Sequence, residues 1–144
     1  MVGVVFSIIA GMAMSFQGVM NTRLSEKIGL YESNLYVQGT AFLLAIVAVL
    51  IMGDGSKISG FWQVEKPYML GGVLGIIITV TVMLGIKDLS PTVSISIILI
   101  SQLLVAALID AFGLLGSEKV AFGWTKYVGM AMMIGGVLLF KYKD

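Results

Sequence analysis

Long stretches of this sequence carry no charge. Met1 to Thr22 is uncharged and closed by Arg23, Ser33 to Gly53 ends at Asp54, and Pro67 to Ile86 ends at Lys87-Asp88. Leu89 to Ser117 is interrupted only by Asp110, and Tyr127 to Phe140 follows Lys126. A bilayer core about 30 Å thick is crossed by roughly 20 apolar residues in a helix. Each run therefore reads as a transmembrane helix, with spans at about 2–22, 34–52, 67–86, 91–115 and 123–141. Pro67 suits a helix start. The last span is the weakest, because Lys126 lies near its beginning. A lysine there can snorkel to the headgroups, and Trp124, Tyr127 and Tyr142 suit the interface. The alternative is four spans and a surface helix.

Composition points the same way. Apolar residues make up 58% of the chain and charged residues 12%, about half the charge of a soluble domain. Mean hydropathy is +1.03. The length fits a single domain, 1–144. Eighteen Gly and ten Met fit close helix packing in lipid. With neither Cys nor His, a disulfide framework, a thiolate site and the usual transition-metal ligands are ruled out. No phosphate-binding Gly loop, paired catalytic acids or nucleophile–base pair is present. No enzyme activity, cofactor, metal or nucleic-acid partner is expected. The N-terminus has no basic segment before its apolar run, so it reads as a span and not a signal peptide. The connections Leu24–Glu32, Asp54–Lys66, Lys87–Ser90 and Glu118–Phe122 are too short for a soluble domain, so function must reside in or across the membrane.

Charge leaves the orientation open. Five spans would put Lys57, Lys66, Lys119 and Lys126 on one side and Arg23, Lys27, Lys87, Lys141 and Lys143 on the other. Orientation normally follows an excess of Lys and Arg on the cytoplasmic side, and four against five is almost none. Insertion in both orientations is one outcome; a single orientation enforced by other signals or by a partner is the other.

Polar residues inside the spans mark the candidate site. In the first span Ser7, Gly11, Met14, Gln17, Gly18 and Asn21 fall along one stripe, with Gln17 and Asn21 at i, i+4. An amide left unpaired in lipid costs several kcal/mol, so this stripe faces protein or a water-filled cavity. It is either a wall that hydrogen-bonds a solute or interhelical glue. The fourth span holds Ser94, Ser96, Ser101, Gln102 and Asp110, the one carboxylate inside any span. Gln102 and Asp110 differ by about 80° around a helix, so both can border one cavity. An intramembrane acid is a functional-site candidate by default; a cap or ion pair near the helix end is the structural alternative. Gly71-x-x-x-Gly75, and Gly129 with Ala131-x-x-x-Gly135, read as helix-packing motifs. Met12, Met14, Met20 and Met83 are either an adaptable apolar lining or buried filler.

Gln17-Gly18-x-x-Asn21-Thr22-Arg23-Leu24, Ser101-Gln102, Ile109 through Gly116, and the Gly- and Met-rich stretch Gly129–Leu139 resemble the half-length, YdcZ-like family of the drug/metabolite transporter superfamily (EamA-like). Two positions depart from its pattern: Ser101 stands where a Gly is usual before the Gln, and Ala111 where a His often follows the Asp. Asp110 would therefore act without a His-assisted relay.

The resemblance implies an all-α fold of five transmembrane helices in the inner membrane of the cell. This is one half of an inverted-repeat, ten-helix transporter, completed by an antiparallel second copy or close paralogue, with a small-molecule substrate at the midplane between the halves. The activity implied is secondary transport of a small metabolite or drug-like solute by alternating access, coupled to protons or another ion. On this reading Gln17, Asn21, Gln102, Ser94 and Ser101 contact substrate, and Asp110 binds the coupling ion or proton. A non-transporting assembly subunit and a passive channel are the competing classes.

Overall fold

The computed structural model describes residues 2–53, 60–120 and 123–142. Lys57, Lys143 and the first part of the connection predicted after the second span (54–59) lie outside the described residues, as do Ala121 and Phe122. The described residues form helices and short 3₁₀ turns, with no strand. The helices are α1 (Val2–Ile28), α2 (Leu30–Met52), α3 (Gly71–Asp88, preceded by a 3₁₀ turn at Lys66–Leu70), α4 (Pro91–Phe112) and α5 (Trp124–Tyr142). Four segments are long and apolar enough to cross a membrane: Val2–Ile28, Leu30–Met52, Lys66–Asp88 and Pro91–Phe112. The fifth helix is apolar over Trp124–Leu139 and shorter.

Several boundaries differ from the sequence expectation, among them the start of the third helix, where Pro67 lies in a 3₁₀ turn and α3 begins at Gly71. The predicted connection Leu24–Glu32 is almost entirely helical, and Gly29 alone separates α1 from α2. Charge ends a membrane span but does not end a helix. Arg23 and Glu26 pair at 3.1 Å across one turn, as an exposed helix surface permits. The break falls at Gly29 because its φ is +100°, a conformation that side chains with a Cβ rarely adopt. Likewise α4 stops at Phe112, short of the expected 115. Gly113 turns left-handed (φ 63°, ψ 40°) and donates its N–H to the Ile109 carbonyl, a glycine C-cap. The segment beyond folds back, and Val120 N–H reaches the Asp110 carbonyl at 2.9 Å.

The chain divides into two compact units, Met1–Asp88 and Leu89–Asp144. In the first, α1 packs on α2 and α3, and α2 packs on α3. Packing concentrates at one end of this three-helix unit, where Gly18, Thr22, Ser33, Asn34, Met83 and Ile86 are buried. The three helices alternate in direction, so the C-terminal ends of α1 and α3 meet the N-terminal end of α2 there. In the second unit α4 packs on α5. Ser90 caps α4, accepting from Val93 N–H, with Pro91 behind it.

Met83, Ile86 and Val93 are the buried apolar side chains among the described residues, whereas Phe6, Phe16, Phe42, Leu50 and Leu139 are more than 60% exposed. So small a core could not hold this chain folded in water, and its exposed surface suits lipid or a partner. Hydroxyls in the helices are hidden by bonding the carbonyl one turn back, as in Thr22 to Gly18 (2.8 Å), Thr81 to Ile77 (2.8 Å) and Ser101 to Ile97 (2.9 Å).

Candidate functional site

The second unit holds a cavity of about 640 Å³ between α4 and α5, within the size range of small-molecule sites. α4 contributes Leu103, Ala106, Ala107 and Asp110, and α5 contributes Lys126, Gly129, Met130, Met132 and Met133. The spacing explains the selection. Residues three, four and seven apart share one helix face, and Leu103 to Asp110 on α4 mirrors Lys126 to Met133 on α5. Ala106, Ala107 and Gly129 supply the room, because none carries a side chain beyond Cβ.

Asp110 is half-buried and two residues from the end of α4. An acid in the last turn of a helix faces the negative end of the helix dipole, at a cost of roughly 0.3–1 kcal/mol. Lys126 lines the same cavity from the first turn of α5 and brings the opposite charge. The site thus has an acid and a base at the end adjoining the α4–α5 connection and an apolar remainder. It can accept a cationic or hydrogen-bonding group at Asp110 and an anionic group at Lys126.

The other residues expected to contact solute are placed differently. Ser101 and Gln102 are exposed on α4 and do not line this cavity. Ser94 is buried at 3% exposure near the start of α4. In the first unit Gln17 is exposed and Asn21 half-buried, so the predicted stripe on α1 is split. Gly18 is its buried member, and Thr22, outside the stripe and one turn on, is the other buried residue of α1. Of the packing glycines, Gly75 faces the Gln38 amide, with 3.5 Å between its Cβ position and Nε2, whereas Gly71 and Gly135 face open space. Gly129 lines the cavity.

Sequence reasoning passed over several polar residues. Lys126 was visible only as a snorkelling charge; its register with Gly129, Met130 and Met133 was the available signal. Gln38 donates to Thr79 Oγ1 at 3.4 Å, joining α2 to α3. Ser33 and Asn34 are buried, and Ser33 Oγ and Asn34 Oδ1 have no hydrogen-bond partner among the described residues. These uncharged groups lie at predicted span edges or between apolar neighbours, where only tertiary contact distinguishes them.

A family described as "Putative inner membrane exporter, YdcZ" matches residues 2–139. No curated protein and no solved structure matches the chain.

Proposed function

We infer, from the premise that this chain belongs to the YdcZ family of inner membrane exporters, that it exports a small solute by alternating access as one half of a two-fold assembly. The family is one of exporters, not of enzymes, and the chain is a multi-pass inner membrane protein. The observation that carries the site assignment is the α4–α5 cavity with Asp110 on its wall. A carboxylate there binds a cation or a proton, and exchange between the two couples solute movement to the proton gradient.

α5 serves as the fifth span. Its 19 residues reach about 28 Å at helical rise, close to the hydrocarbon thickness, and Lys126 extends to the headgroups. Five spans with an almost even charge count favour a second copy, or a close paralogue, inserted upside down. That pairing would form a ten-helix inverted repeat with substrate near the interface of the halves. The exposed Gln17, Ser101 and Gln102 would then be covered by the partner, and together with Asn21 and Ser94 would orient the solute.

The test is uptake into proteoliposomes bearing an imposed proton gradient. An exporter accumulates its solute above the outside concentration and loses that accumulation when the gradient is collapsed. A passive channel equilibrates without accumulating, and an assembly subunit moves nothing.

A further inference from the structure

The connection that leads into α3 carries an aromatic surface that the described residues leave uncovered. Its described part begins with a 3₁₀ turn at 60–63, where the Val64 N–H donates to the Phe61 carbonyl at 3.3 Å. A second turn follows at Lys66–Leu70, with the Tyr68 N–H donating to the Glu65 carbonyl at 3.1 Å. Phe61 and Trp62 meet edge to face with ring centroids 5.7 Å apart, a favourable aromatic geometry that makes one block of the two rings. Trp62 is nevertheless 87% exposed, and Phe61, Val64 and Tyr68 are exposed beside it.

We propose that residues 60–70 lie in the headgroup layer of the bilayer, anchored by Phe61 and Trp62, and that the partner of this surface is phospholipid. Reach supports this. The membrane-crossing segment begins at Lys66, and the four residues from Trp62 to Lys66 span at most about 14 Å when extended. The 3₁₀ turns shorten that distance, since each turn residue advances only about 2 Å. The headgroup layer is itself about 5–8 Å deep on each side, so Trp62 cannot stand far from it. Tryptophan and tyrosine favour that layer, where the ring body leaves water while the N–H or O–H stays hydrated. Phe61 and Val64 add apolar area to the same surface. Charge adds no attraction, because residues 54–66 hold Asp54 and Glu65 against Lys57 and Lys66. A basic anchor would select the anionic cytoplasmic leaflet; an aromatic one serves at either interface. It therefore holds the α2–α3 connection at one depth whichever way the chain inserts.

Trp62 and Trp124 are the two tryptophans of the chain, so Trp124→Phe leaves Trp62 as the single reporter. Its fluorescence is read on the full chain in nanodiscs, which open both faces to aqueous iodide. The lipids are plain phosphatidylcholine, phosphatidylcholine brominated near the top or near the end of its acyl chains, and phosphatidylcholine mixed with phosphatidylglycerol. Trp62 emission should lie to the blue of tryptophan in water, resist iodide, and be quenched more by shallow bromine than by deep. It should not move with salt or with phosphatidylglycerol. Phe61→Ser should shift the emission to the red and admit iodide, because it removes the neighbouring ring from the anchor. If Trp124→Phe fails to fold by circular dichroism, the difference between wild type and Trp62→Phe isolates the Trp62 signal instead. Iodide quenching equal to that of free tryptophan overturns the proposal, since the segment then stands in water. Blue emission that neither bromine nor iodide quenches also overturns it, and assigns the surface to contact with a second copy. Insertion that needs phosphatidylglycerol, or that salt reverses, replaces aromatic anchoring with electrostatic attraction and overturns it too.

Discussion

Gly18 of α1 lies directly against Ile86 of α3: a Cβ at residue 18 would fall 2.9 Å from Ile86 Cδ1 and 3.2 Å from Val82 Cγ1. The absence of a side chain lets the two helices close, as small residues do in membrane bundles. It also brings Thr22, one turn on, into the buried end of the unit.

Gly18→Leu should therefore separate α1 from α3 and destabilise the protein by about 1–3 kcal/mol, the usual cost of overpacking. Gly18→Ala should be far milder, because the nearest atom is the movable end of a side chain. Unfolding by dodecyl sulfate from mild micelles measures both. Ile86→Ala should partly rescue Gly18→Leu by removing the Cδ1 and Cγ atoms in its path. A Gly18→Leu protein as stable as wild type would mean that α1 and α3 do not approach at this point.

The Gln38–Thr79 hydrogen bond joins α2 to α3 at 3.4 Å, and the Thr79 hydroxyl donates in turn to the Gly75 carbonyl at 2.8 Å. The contact is long, and interhelical hydrogen bonds in membranes average about 0.6 kcal/mol. A double-mutant cycle with Gln38→Leu and Thr79→Val should return a coupling near or below that value. Coupling above about 1.7 kcal/mol, the top of the measured range, would show a tighter network around Gly75 than this geometry contains.

Topology gives a prediction that does not depend on side-chain contacts. Adding two or three Lys between Lys57 and Lys66 should hold that connection in the cytoplasm and abolish transport by the chain alone. Co-expression with an oppositely biased copy should restore it. Full activity of one-sided variants without a partner would rule out the antiparallel pair.

Much of this fold was legible in charge-free runs, because hydrocarbon thickness sets helix length. The runs ending at Arg23 and Asp54 contain the membrane-crossing parts of α1 and α2. Hydropathy did not report hydrogen bonding, so the helical stretch Leu24–Ile28 read as loop, and the α4 end at Gly113 read as three residues of further span. Asp110 stood out because it is the one carboxylate within a span. Its companion Lys126 did not, since its significance depends on the α4–α5 pairing that places both on one cavity. The amides of α1 were equally visible in the sequence, but a stripe on a helix wheel does not say which of its members a neighbouring helix covers; Gly18 is buried, and Gln17 is not.

Asp110 bears the final prediction, that it carries the proton that drives exchange. Holding an acid at membrane depth costs about 2.5–3.5 kcal/mol on insertion scales, though less near the interface, where the last turn of α4 places it. Lys126 lines the same cavity. If proton and solute compete for this carboxylate, affinity for an ammonium-bearing solute should fall as pH is lowered and Asp110 takes up its proton. Asp110→Asn keeps the shape and most of the hydrogen bonding but cannot titrate. Its affinity should be weaker and flat with pH, and proton-driven accumulation should be lost while solute–solute exchange persists in part. Asp110→Asn is compared with wild type by solute binding and proteoliposome uptake across pH. Wild-type pH dependence in Asp110→Asn would remove Asp110 from coupling, and loss of folded protein in that variant would assign it to holding the α4–α5 turn at Gly113 instead.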